Sequence, residues 1–495
     1  MTDNAKGTMM KHGMKWAALG AVAAAAALPA WAQAATAASP IPPPTVNKGD
    51  TAWMLTSTLL VLMMSVPGLA LFYGGLVRTK NMLSVLTQVL MIVCMVGVIW
   101  VTWGYSETFT SGAQWGTFLG AFFGGTSKVA LIGVDANSQA ATFSNGVYIP
   151  EYVYICFQMT FAMITPALFV GSVAERVKFS PLMLFTALWV TLVYFPIAHM
   201  VWYWGGPDTV AAAALKGKDA LDAVNNDAGK LFQWGALDFA GGTVVHINAG
   251  ITGLVLAVLL GKRVGFPKEP MPPHSLTMTM IGASLLWVGW FGFNAGSNLE
   301  SNGVTAVAFI NTMVATAAAG LSWLLTEQFV RGKPSLLGAA SGVVAGLVAV
   351  TPASGYAGPM GSVVLGLLVS PICFFFVSWV KGKFGYDDSL DVFGVHCIGG
   401  ITGALLTGVL DSPQLGGQGT ADYASKPGTL VAGPYDMLGQ VTTQAWAVGL
   451  TLLWSGIGAA VLFLLIDKTW GMRVSKDVEL EGLDIAEHGE RAYHY

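Results

Sequence analysis

The sequence predicts an all-α polytopic membrane protein of eleven transmembrane helices, arranged as a five-plus-five inverted repeat. Three observations predict it: an apolar composition, eleven long apolar runs whose exits alternate in positive charge, and one motif that occurs twice. Of 495 residues, 54% are hydrophobic and only 10% charged, so the chain has more apolar surface than one water-facing core could bury.

The apolar runs lie at approximately 52–77, 82–104, 149–173, 180–204, 239–261, 275–297, 304–326, 335–352, 359–380, 392–410 and 442–466. Crossing a bilayer takes about 20 residues of helix, and the eighth run, short and Gly-rich, is nearest that limit. Positive charge concentrates where chains face the cytoplasm. Fifteen Lys and Arg follow odd-numbered runs, among them Arg78, Arg176, Arg263, Arg331, Lys381 and Arg473, against five after even-numbered runs. The mature amino terminus is therefore expected outside and the carboxyl tail, 468–495, in the cytoplasm, with residues 51–467 as the transmembrane domain. Residues 1–34 read as a cleavable signal peptide: Lys11 and Lys15, an apolar stretch from Trp16 to Leu28 too short to span, then small-x-small sites at Ala30–Ala32 and Ala32–Ala34. A Pro-rich exported tail, 35–50, follows it.

The repeated motif is H-x-x-x-G-I-T-G, at His246–Gly253 and at His396–Gly403, in the fifth and tenth runs. Five crossings separate the copies, so they run in opposite directions, and inverted repeats of this kind place a substrate path at their interface near the midplane. Ionisable residues at membrane depth are costly and are read first as functional, which singles out His246 and His396. The alternative, two neutral imidazoles bonded to neighbouring helices, needs no substrate. Asp238 and Asp391 precede the histidines by eight and five residues. Each can cap the helix that follows, and Asp238 can equally bind a cation directly. Phe157 and Phe161 share one helical face, as do Trp290, Phe293 and Ser297; rings with a hydroxyl suit a small cation.

Several classes are excluded or ranked low. Net charge is −3 with no basic run interleaved with aromatics, so nucleic acid is not an expected partner. Cys94, Cys156, Cys373 and Cys397 lack the spacing of a zinc site, and there is no H-E-x-x-H, nucleophile motif or cofactor loop. No metal, cofactor or enzymatic activity is expected.

The stretch Asp238-Phe-Ala-Gly-Gly-Thr-Val-Val-His246, running on to Gly261-Lys262-Arg263, resembles the signature of the ammonium transporter family, Amt/Mep/Rh, in its bacterial Amt form. Phe72–Gly75, Ala174–Arg176, His199–Trp202, Gly289–Ser297, Gly332–Gly338, Asp391–His396 and the tail from Glu481 to Glu490 extend the resemblance from about residue 48 to the end. It implies a homotrimer of the bacterial inner membrane, taking up nitrogen through one pore per subunit, with a PII-type signalling protein as a regulator at the cytoplasmic face. Carried over by motif, Trp202, Phe161 and Ser297 form an outer ammonium site supported by Asp238, Phe161 and Phe293 gate the pore, and His246 and His396 line it. Ammonia would cross while its proton is transferred separately. The competing readings are an ammonium sensor with little flux and an electroneutral Rh-like gas channel. Cys397 and Ser389 depart from the family pattern, and the external segments 106–148 and 205–236 are longer than it leads one to expect.

Overall fold

The computed structural model describes residues 44–424, 429–430 and 435–494. The signal peptide and most of the exported tail assigned above lie outside them. Among the described residues ten helices are long and apolar enough to cross a bilayer: Lys48–Leu76, Thr79–Phe109, Glu151–Val173, Phe179–Trp202, Gly242–Leu260, Leu276–Gly296, Gly303–Arg331, Pro359–Phe384, Phe393–Leu410 and Met437–Trp470. A shorter apolar helix, Leu336–Val350, occupies the place of the eighth run. Its 15 residues rise about 22 Å, short of a full hydrocarbon thickness. We count the eleven helices in chain order, with Leu336–Val350 as the eighth.

Packing pairs reveal the repeat. The third helix lies against the second, the first and the fifth; the eighth lies against the seventh, the sixth and the tenth. Exchanging helices one to five for six to ten maps each contact onto its counterpart, while the first packs on the sixth and the fifth meets the tenth across the axis. The eleventh helix lies outside this symmetry and packs on both the fifth and the tenth.

Glycine spacing explains how the two motifs come together. A Cβ on Gly250 would stand 2.4 Å from the Cys397 backbone nitrogen, and one on Gly400 would meet the Ile247 and His246 side chains at 3.0 and 3.2 Å. In each copy the Gly four residues after the histidine admits the histidine turn of the other. The Gly at plus seven does the same for the flanking helices: Gly253 presses on Ser172 of the third and Gly403 on Ala349 of the eighth.

Helix starts follow their sequence signals. Asn302 accepts from the Val304 and Thr305 amides, Ser335 from Gly338 and Ser275 from Met278. The fifth and tenth helices differ: each opens on one wide turn, Gly242–Ile247 and Phe393–Cys397, that carries its histidine. Such π-wound turns recur at functional positions in helices.

The two faces are built differently. At one, strand Thr45–Val46 pairs parallel with Val147–Pro150, which pairs antiparallel with Gln139–Ala141. Helices Pro207–Lys216 and Lys218–Asn226 cover the same face, held by Asp208, which accepts from the Gly146 amide at 3.0 Å and the Tyr148 hydroxyl at 2.8 Å. The long segments 106–148 and 205–236 therefore have regular structure. At the opposite face, the tail face, helices Lys476–Glu481 and Leu483–His488 dock onto interhelical loops.

Candidate functional site

The two histidines meet where the wide turns cross. His246 and His396 are 1% and 5% exposed, and their Nδ1 atoms lie 3.2 Å apart with rings 5.3 Å between centroids. A bond between two Nδ1 atoms fixes the tautomers: one ring donates its Nδ1 proton, and the other accepts and therefore carries its proton on Nε2. The donor's Nε2 is left as an acceptor. The pair thus presents one donor and one acceptor along its edge, and two imidazolium rings would set two donors face to face. His246 Nε2 has no hydrogen-bond partner within the protein. Trp290 stacks on His246 at 5.4 Å and is itself fixed by its indole N–H on Thr351 Oγ1 at 2.8 Å.

Beside the histidines is a narrow enclosed cavity of about 10 Å³, room for one water-sized molecule, lined apart from them by apolar side chains such as Leu69, Phe72, Ile164, Leu168 and Val344. Phe293 also lines it, and Phe161 stacks on Phe293. Their rings stack at 4.2 Å and 19°, with Phe293 6.1 Å from His246. Beyond them, Trp202 meets Phe161 edge to face at 5.7 Å. Ser297, one turn past Phe293, donates its hydroxyl proton to the Phe293 carbonyl at 2.8 Å, which leaves its oxygen lone pairs to accept from a ligand. Trp202, Phe161, Phe293, His246 and His396 thus form one chain of ring contacts.

Asp238 stands behind this chain. Its carboxylate accepts from the amides of Gly241 (2.8 Å), Gly242 (2.5 Å), Thr243 (2.8 Å) and Val244 (3.1 Å) and from the Thr243 hydroxyl. Its backbone carbonyl accepts the Trp202 indole N–H at 3.0 Å. One residue therefore caps the fifth helix and sets the orientation of Trp202, and its oxygens are occupied by the protein.

The cap expected at Asp391 is not there. Asp391 pairs with Lys381 Nζ at 2.7 Å and has φ of 60°, and the Phe393 amide is bonded instead by Asp388 Oδ2 at 2.7 Å. The spacing of eight residues before each histidine, Asp238 to His246 and Asp388 to His396, was the signal that identifies Asp388 as the counterpart. Burial pushes the Asp388 carboxyl above its ordinary range, against the pull of Lys381.

The tail face holds an ion-pair network that sequence reading did not assemble. Arg263 binds Asp387 through Nη2 at 2.8 Å and Glu175 through Nη1 at 3.0 Å; Arg78 binds Glu175 at 2.7 Å. Burial raises the Glu175 and Asp387 carboxyls, but the arginines outweigh it and hold both below the usual range. The tail continues the network: Arg473 bonds Glu479 at 2.8 Å and the Leu260 carbonyl at 3.0 Å, and Ser84 N–H donates to Asp484. Among the described residues no three His, Cys, Asp or Glu side chains converge as a metal site.

The sequence matches the model of the Ammonium Transporter Family over residues 52–493. An ammonium transporter of Mycobacterium tuberculosis is 43% identical over 454 residues, covering 90% of each chain. Among solved structures, Candida albicans Mep2 superposes with a TM-score of 0.73 at 32% identity, over 90% of this chain and 91% of that one. A structure titled Sensor Amt Protein gives 0.74 at 25% identity, over 89% and 98%. With the family model matched across almost all the described residues, this multi-pass membrane protein belongs to the Ammonium Transporter Family, whose members transport and are not enzymes.

Proposed function

We propose that this protein takes up ammonium across the bacterial inner membrane by separating it into ammonia and a proton. The observation that carries the reading is the sequence of contacts from Trp202 through the stacked Phe161 and Phe293 to the bonded histidines, beside a cavity that is otherwise apolar. Ammonium binds at the mouth, with the ring faces of Trp202 and Phe161 attracting the cation and Ser297 Oγ accepting one of its hydrogens. Asp238 acts from behind, by holding Trp202 and the helix start. A bare ammonium ion inside the pore would lose its hydration to apolar walls at a cost of several kcal/mol, and neutral ammonia avoids most of it. Rotation of Phe161 and Phe293 admits ammonia, which bonds to the acceptor and donor nitrogens of His246 and His396. The proton crosses separately along the imidazole edge.

The mouth then faces outside and the tail face the cytoplasm, a reading supported by the fifteen-to-five distribution of Lys and Arg. Residues 1–34 are a removed signal peptide and 35–50 an exported tail that precedes the transmembrane domain, 51–467. The functional unit is a homotrimer with one pore per subunit, and a PII-type protein docks at the tail face.

The test is ammonium-evoked current in proteoliposomes, with potassium as control, for the protein and its His246→Ala, His396→Ala double variant. A current specific for ammonium that the variant loses, or opens to potassium, supports the reading; an unchanged variant rejects it. Internal alkalinisation without current indicates an Rh-like gas channel, and neither signal indicates a sensor, the reading to which the likeness to Sensor Amt Protein lends weight.

A further inference from the structure

The two aspartates that open the histidine-bearing helices have the same position in the repeat and different surroundings. At the start of the fifth helix Asp238 accepts four amides and a hydroxyl. Asp388 accepts one amide, that of Phe393, on Oδ2. Its Oδ1 has no hydrogen-bond partner although the residue is 1% exposed. The Ser172 hydroxyl lies beside it, within reach of the carboxyl, and its buried Oγ has no other partner. A cap needs one oxygen; an unused carboxylate oxygen at this depth is costly unless it has another occupant.

Its location indicates which. Asp388 bonds the start of the wide turn, and His396 follows the bonded amide by three residues, about 4.5 Å along the axis. On its other side is Tyr73, whose hydroxyl donates to the carbonyl of Leu168, a wall residue of the histidine cavity, and whose chain neighbour Phe72 is another. The carboxyl therefore lies on the tail side of the turn that carries His396. The charged and titratable groups around it are Lys381 and Asp391, Tyr73 and Tyr386, and Arg176 with Asp387.

We propose that Asp388, with the Ser172 hydroxyl beside it, is the station at which the proton rejoins ammonia. The inference rests on the reading that ammonium crosses as ammonia and a separate proton. The acid form of Asp388 gives its proton to emerging ammonia: the O–H bond breaks, an N–H bond forms, and ammonium leaves beside a carboxylate. That carboxylate then takes up, through water, the proton released from ammonium at the mouth and passed along the histidines. One ammonium enters and one leaves per cycle. The asymmetry between the two aspartates then follows: the mouth copy is a cap with no oxygen to spare, and the tail-face copy keeps one oxygen for the proton.

Asp388→Asn tests this, because the amide oxygen can still accept from Phe393 N–H while the acid is lost. In proteoliposomes the variant is expected to lose at least tenfold of its ammonium-evoked current, with ammonia permeation by internal alkalinisation within about threefold of the unsubstituted protein. Asp391→Asn, which breaks only the pair with Lys381, is expected to stay within twofold on both. An Asp388→Asn protein with undiminished current overturns the proposal. Should that variant fail to fold, Asp388→Glu decides: a retained current whose pH midpoint moves supports the relay, and a pH profile that does not move overturns it. An unsubstituted protein that conducts no current overturns the separated-proton reading, and this station with it, before any aspartate is changed.

Discussion

The polar groups along the pore and the ion-pair network at the tail face are both largely buried, but they are paired to different degrees. At the tail face Arg263, Glu175, Asp387 and Arg78 are mutually bonded, and the tail residues Arg473 and Glu479 continue the network. Along the path, His246 Nε2 and Asp388 Oδ1 have no partner, and Ser297 uses its proton and leaves its lone pairs. The ion pairs of the frame satisfy one another, whereas the path leaves groups for what passes through it. Breaking the frame should therefore cost stability, and breaking the path should cost transport with the fold intact.

The largest effect is expected from Arg263→Met. It strands the buried carboxylate of Asp387 and leaves Glu175 with Arg78 alone, and removing one partner of a buried ion pair costs about 3–5 kcal/mol. A thermal unfolding scan in detergent should show a clear fall in midpoint. The pH dependence carries a sign as well. Both carboxyls are held below their ordinary range, so their contribution is present above an unfolded value of about 4 and is lost as pH falls through the folded values. The variant should lose the Asp387 part of that acid-side loss and keep the part that Arg78 gives Glu175, and a midpoint that falls on acidification as steeply as before would contradict the assignment.

Ser297→Ala should leave the unfolding midpoint in place and weaken ammonium. A hydrogen bond to a charged group contributes about 1.5–3 kcal/mol, so half-saturation of the current should rise at least tenfold. A variant with unchanged half-saturation would remove Ser297 from the mouth site. Gly250→Ala tests the crossing that joins path to frame. Its new Cβ would meet the Cys397 backbone at 2.4 Å, and overpacking of this kind costs about 1–3 kcal/mol. Both readouts should fall together here, since the turn that must move carries His396.

How much of this could be read in the sequence differs along the same line. The helices, their order and the inverted repeat were legible because apolar runs and the H-x-x-x-G-I-T-G spacing are local patterns. The contacts of Phe161 with Trp202 and Phe293 came only through family resemblance, because ring contacts between helices leave no periodicity. Asp391, five residues before His396, is not the second cap; the repeat's own spacing of eight points to Asp388, and a residue-by-residue comparison of the two copies finds it. The Arg263 network joins loops far apart in sequence, so no motif displays it. The strands at 106–148 were hidden for a related reason: they are three and four residues long, and the turn between them is held by Asp208 and Glu300 side chains.

The smallest effect, and the sharpest on the comparison, is expected from Trp202→Ala. Its indole contributes a ring face to the cation and donates to the Asp238 carbonyl, so the residue belongs to both path and frame. The cation–π contribution is about 0.5–2 kcal/mol, roughly a 2- to 30-fold weakening of ammonium. The lost bond to Asp238 should count for little in stability, because the carboxylate of Asp238 keeps all its own donors. Trp202→Phe separates the two parts, since it keeps a ring and loses the N–H. If Phe restores most of the affinity, the ring face recruits the cation. If Phe behaves like Ala, orientation by Asp238 is what the site needs, and Asp238 then contributes to recruitment through Trp202 without touching the ion.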